Sequence, residues 1–129
     1  MSQGIRVEFD NPEQTIIRWD FKGRWMWDDW HDGASRALEL RQMVIDTPVV
    51  PAIFNFKYSG PVPMGALPHI RTAGELMDPR DYVVVANGSG FIRSLVDAFC
   101  TLNPSFRDKV MLADTLEEAR ALIAKQAAE

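Results

Sequence analysis

Tyr82-Val83-Val84-Val85-Ala86-Asn87-Gly88-Ser89-Gly90 is the stretch whose reading decides the fold. Consecutive β-branched residues with no polar position between them suit a short strand covered on both faces. The Asn-Gly-Ser-Gly crossing leads into Ile92, Leu95, Val96, Phe99 and Leu102, an apolar stripe at helical spacing that Asn103-Pro104 stops. A doubly covered strand followed at once by an amphipathic helix belongs in a parallel sheet with helices packed on it.

Working outward, the same unit recurs. Downstream, Val110-Met111-Leu112-Ala113 is a strand, and Thr115-Leu116-Glu117-Glu118 is a capping box that opens a helix through Ala119, Leu122, Ile123 and Gln126. Upstream, Val49 to Tyr58 is a nearly continuous apolar strand with Pro51 near its start. The loop Ser59-Gly60-Pro61-Val62-Pro63 then leads to a weaker helical stripe of Leu67, Ile70, Ala73, Gly74 and Met77. Pro68 is tolerated there because it falls in the first turn.

The N-terminal third is different in texture. Ile5, Val7 and Phe9 alternate with Arg6 and Glu8, and from Thr15 to Trp25 apolar Ile17, Trp19, Phe21 and Trp25 alternate with charged residues. This period of two describes strands with one covered face. Asp10-Asn11-Pro12-Glu13 is the turn that pairs them antiparallel, and Gly23, on the inward parity, marks a bulge or a close backbone approach. Asp28 and Asp29 then serve as N-cap and dipole partners of a helix of about four turns. Its stripe is Trp30, Ala34, Ala37, Leu38, Arg41, Val44 and Ile45, ending by Thr47-Pro48. The order is β-β-α-β-α-β-α-β-α: one α/β domain over residues 1–129, with a single mixed, mainly parallel five-stranded sheet and four helices.

Composition agrees with one globular domain. Of 129 residues, 47% are apolar and 25% charged, which gives a core without help from disulfides or metal. The net charge of −4 comes from interspersed acids and bases, with no basic run of the kind nucleic acid or an anionic membrane surface requires. Cys100 is alone and lies on a helix stripe, which points to a reducing, cytoplasmic setting. Met1 to Arg6 carry no leader pattern, and nowhere do eighteen apolar residues run together.

With that order in hand, the chain resembles the STAS family, the domain of bacterial anti-sigma factor antagonists and of sulfate-transporter tails. The landmarks are Phe21-Lys22-Gly23-Arg24 entering the first helix, the strand from Val49 to Phe56 with a Ser-Gly loop behind it, and Val110 to Ala119. The resemblance implies a regulatory, protein-binding domain. In sporulation-switch members a serine after the third strand, in an Asp-Ser-Ser-Gly-like motif, is phosphorylated to abolish partner binding. The matching stretch here is Asn55-Phe56-Lys57-Tyr58-Ser59-Gly60-Pro61, which lacks that motif, and Ser59 is the hydroxyl onto which the phosphoacceptor role carries over. STAS-like domains are also grouped with lipid-handling folds, which keeps a hydrophobic-ligand role open by analogy.

Three constellations are candidates for function. Gly88, Ser89 and Gly90, with Arg93 one turn inside the helix, form a strand-to-helix loop suited to an anion; the plainer reading is a tight turn with Ser89 as N-cap. Trp25, Trp27 and Trp30 crowd one strand exit and helix entry, and by parity Trp25 and Trp27 share a face. They are read either as cover for the end of the core or as interface and pocket aromatics. Exposed aromatics there would also suit a homodimer. His31 and His69 are too far apart for a spaced metal motif, Asp28, Asp29 and Asp32 belong to a helix start, and no catalytic set or cofactor motif is readable. The expectation is a non-catalytic STAS-like regulatory module with an unidentified protein partner. The alternative is a module binding a small anion or apolar molecule at the loops beyond the strand ends.

Overall fold

The computed structural model describes residues 4–128; Met1 to Gln3, part of the stretch read above as lacking a leader, lie outside them. Among the described residues the strands are β1 (Gly4–Phe9), β2 (Ile17–Gly23), β3 (Ala52–Ser59), β4 (Val83–Ala86) and β5 (Val110–Ala113). The helices are α1 (Trp27–Met43), α2 (Ala66–Leu76), α3 (Gly90–Leu102) and α4 (Leu116–Ala128). They form a mixed α/β fold with one five-stranded sheet in the order β1-β2-β3-β4-β5. The first pair is antiparallel and the other three are parallel.

That strand order determines where the helices go. Each crossover steps to the next strand in the same direction, so right-handed connections place α1, α2 and α3 together on one face. Trp19 of β2, Phe54 of β3 and Val85 of β4 lie in register on this face. Trp30, Ala34 and Leu40 of α1 share a core with Val7, Trp19 and Phe21, while Ile92 of α3 packs on Val83 and Val85. The terminal helix α4 covers the opposite face through Ala119 and Ile123, which pack on Ile53, Val84, Ala86 and Ala113.

The second face explains the alternating texture of β1 and β2. Its outward residues there meet in a charged network: Arg18 donates to Glu8 at 2.8 Å, to Asp10 at 2.6 Å and to Asp20 at 2.8 Å. Arg120 of α4 reaches over to Asp10 with two further bonds of 2.8 and 2.9 Å. Burial raises the Asp10 carboxyl, but its hydrogen bonds and charge pairing with Arg120 and Arg18 outweigh this and hold it below the ordinary carboxylate range. Asn55 continues the network by donating to Asp20 at 3.1 Å and accepting from Asn87 at 2.9 Å.

Several boundaries differ from the sequence reading. The β1–β2 connection runs from Asp10 to Ile16, closed by Asp10 N–H on Ile16 O and by the Asn11 side chain on Thr15, so β2 starts at Ile17. It ends at Gly23 rather than Trp25. Gly23 has a φ of 56°, and the register between β2 and β3 shifts after Asp20, so a bulge is present. A close approach is present too: Gly60 N–H donates to Gly23 O at 2.8 Å, and a Cβ on Gly60 would sit 2.8 Å from that oxygen. Helix α1 begins at Trp27 with Met26 as N-cap; Asp29 lies inside the first turn, its Oδ2 accepting the Met26 N–H at 2.8 Å. The helix ends at Met43, short of Ile45, and Pro104–Lys109 forms an additional 3₁₀ turn.

Candidate functional site

Helix α2 is the lightly anchored member of the three on its face. Ala66 is its one buried residue among those described, and its inner side reaches the core through Ile70 and Ala73. Its neighbours in the helical layer are α1 and α3. Small side chains at Ala73 and Gly74 face large rings: a Cβ on Gly74 would lie 3.3 Å from Phe106 and 3.4 Å from Phe99. Beneath the helix this leaves a cavity of about 190 Å³, bounded by Trp25, Trp30, Phe54, Phe56, Phe99 and Phe106 among other apolar residues.

The tryptophans form the wall of this space. Trp25 and Trp30 are buried and Trp27 is half-buried. Trp27 is helical, so strand parity does not govern it; its ring meets Trp25 edge-on at 5.2 Å. Trp30 packs edge-to-face on Phe54 at 5.6 Å, and Phe21 stacks on Phe56 at 4.2 Å. Each indole N–H on this wall has an acceptor: Trp25 donates to Ser59 Oγ at 2.9 Å, Trp27 to Met64 O at 2.7 Å and Trp30 to His69 O at 3.3 Å. Two of these bonds hang α2 and the loop before it from α1.

A third tie uses both histidines of the chain. His31 on α1 and His69 on α2 are joined by a hydrogen bond of 2.8 Å between Nε2 and Nδ1, and the His69 ring stacks on Trp27 at 4.8 Å with 7° between planes. One nitrogen must accept, so the tie exists only while at least one ring is neutral. Among the described residues no three metal-binding side chains converge.

The far end of the cavity is closed by an ion pair. Arg41 Nε donates to Asp81 Oδ2 at 2.7 Å and Nη2 to Oδ1 at 3.3 Å. The Val50 N–H donates to the same carboxylate at 2.8 Å, and Arg41 also donates to Val44 O and Thr47 O. Nearby Asp78 is held well below the usual carboxylate range by hydrogen bonds from the Arg80 side chain and backbone. Cys100 borders the cavity, and burial raises its thiol. The Arg41–Asp81 pair was not assembled from the sequence, although an arginine on a helix's inward stripe is a signal for a buried acid.

The other sequence candidates have definite places. Ser59 Oγ accepts from Trp25 and donates to Gly60 O at 2.8 Å, so its hydroxyl is committed in both directions. Ser89 is the N-cap of α3, accepting the Ile92 N–H at 3.3 Å. Arg93 reaches the loop's own Gly88 O at 3.4 Å and donates to Asp114 at 2.6 Å. The loops after β3 and β4 do meet, bringing Ser59 to Val62 beside Asn87, Ser89 and Phe91 around an open pocket of about 440 Å³. The sequence reading put the ligand space at these loops, where this pocket lies; a second, apolar space lies beneath α2. Exposed large apolar residues near this end include Met26, Tyr58, Met64 and Phe91, while of the tryptophans invoked for a homodimer Trp25 and Trp30 are buried and Trp27 is half-buried. Among the described residues no helix is long and apolar enough to cross a membrane.

No protein-family model and no curated protein matches this sequence.

Proposed function

We propose that this protein is a non-catalytic small-ligand module that holds an apolar molecule in the space between α2 and the sheet. The observation that carries this reading is the cavity of about 190 Å³ walled by aromatic rings and roofed by one weakly embedded helix. The cavity lining is almost wholly apolar, so an apolar guest would displace water that finds few polar partners there. The groups that could bind a polar ligand are already engaged with one another. The STAS-like assignment, with the regulatory reading it implies, rests on the order of elements; its switch residue Ser59 is partly buried, with its hydroxyl accepting from Trp25.

The test is native mass spectrometry of the protein from its own cells, with melting curves over a panel of apolar metabolites. A stoichiometric small molecule, or a melting point raised by one chemical class, is the expected result. Bare protein together with unmoved melting points across the panel would defeat the proposal.

A further inference from the structure

Resting on the ligand-module reading, we infer that the molecule held under α2 is a neutral, flat aromatic of one substituted ring or two fused rings, not an acyl chain or a carboxylate. Size sets the first limit. A cavity of about 190 Å³ is somewhat larger than the roughly 150 Å³ that accommodates benzene, and smaller than the roughly 300 Å³ at which pockets for drug-sized ligands begin. A steroid or a long acyl chain would not be contained within it.

Shape sets the second. The lining presents ring faces and edges from three directions: Trp25 and Trp30 from the α1 side, Phe54 and Phe56 from the sheet, and Phe99 and Phe106 from α3 and the 3₁₀ turn. Phe99 and Phe106 are themselves tilted at 42° with centroids 5.1 Å apart, and Trp30 meets Phe54 at 90°. A flat guest among such rings gains offset-stacked and edge-to-face contacts that a flexible chain of equal volume does not.

Charge sets the third. The guanidinium at the cavity end, Arg41, is bonded to Asp81 and to two carbonyls, and the indole N–H groups of Trp25, Trp27 and Trp30 have their own acceptors. An anion placed here would lose its hydration with no cation free to replace it.

The experiment titrates indole and toluene, an aliphatic alcohol of matching volume, and benzoate into the full-length chain. Amide shifts report the location of binding and calorimetry its strength. We expect indole and toluene to shift amides of α2, α3 and β3, with the alcohol about tenfold weaker and benzoate at least about a hundredfold weaker. Ala73→Phe should abolish the effect. Should that variant fail to fold, Ala37→Leu, which also narrows the lining, gives the same comparison. An alcohol that binds as tightly as indole, or a benzoate that binds comparably, with shifts at the same amides, overturns the aromatic class while leaving the cavity reading intact. If no member of the panel moves these amides and a crystal pressurised with xenon shows none beneath α2, both fall.

Discussion

His69→Ala removes one hydrogen bond, to His31 at 2.8 Å, and one stacked ring, on Trp27 at 4.8 Å, while the backbone carbonyl that receives Trp30 stays in place. A neutral hydrogen bond contributes about 0.5–1.5 kcal/mol net and an aromatic pair a similar amount. The state with α2 lifted should therefore gain about 1–3 kcal/mol relative to the closed state, or about 5- to 150-fold in population. Native-state hydrogen exchange of the α2 amides reads this directly, because a weakly embedded element exchanges through its own opening. The control is Ile123→Val on the opposite face, where Ile123 packs in the α4 core. It lowers global stability by about 0.5–1.5 kcal/mol and should speed exchange in β3 and β4, but it breaks nothing that α2 must break to lift. The reasoning fails if Ile123→Val speeds α2 as much as it speeds the strands, since α2 would then open only when the whole domain unfolds. It fails equally if His69→Ala leaves α2 exchange unchanged.

Asp81→Ala should cost about 2–4 kcal/mol in urea denaturation, because it leaves the buried Arg41 guanidinium with only the Asp78 carboxylate, 3.7 Å away, and the Val50 N–H without its acceptor; a loss below about 1 kcal/mol would contradict this. Asp10→Asn should cost about 1.5–3 kcal/mol at neutral pH by weakening the bonds from Arg18 and Arg120. Since the folded Asp10 carboxyl is held below its ordinary 3.8, the contribution is complete above that value and lost as pH falls through the lower folded value. The gap between wild type and Asp10→Asn in urea midpoint should accordingly close in acid, and a gap that stays constant down to about pH 2 would refute the assignment.

The fold was legible where one residue type repeats at one spacing. The β-branched run at Val83 to Val85, the alternation in β1 and β2, and the stripe from Ile92 to Phe99 each state their element and their covered face. The ends of elements were harder, because competing groups decide them. Asp28 and Asp29 look like N-caps, yet the chain enters α1 early and Asp29 serves from inside the first turn. The site was the least legible part. His31 and His69 stand 38 residues apart and Arg41 and Asp81 40 apart, and no local pattern links such pairs. A cavity is also an absence of atoms, marked in the sequence only by small residues such as Ala73 and Gly74 where a core helix would carry larger ones.

The strand order accounts for why such a space forms here. With three helices laid side by side on one face, the middle one depends on its two neighbours for position, and the rings those neighbours contribute are wide enough to support it without filling the space below. The opposite face has one helix, α4, over β3 to β5, and over β1 and β2 it carries the largely buried Arg18 network, which Arg120 of α4 joins through Asp10. The helical face carries both the cavity and the aromatic part of the core, with Trp19, Phe21, Trp25 and Trp30 buried there. The face with α4 is packed from small and β-branched residues such as Ile53, Val84 and Ala119, where a lost methylene is felt at once. On the helical face, substitutions that enlarge a side chain at Ala73 exchange empty volume for contact, so they need not destabilise the domain even as they exclude the guest. A variant that is fully folded and yet unable to bind is thus attainable at Ala73, whereas truncating Trp25 or Trp30, which belong to the core and also wall the cavity, would lose folding and binding together.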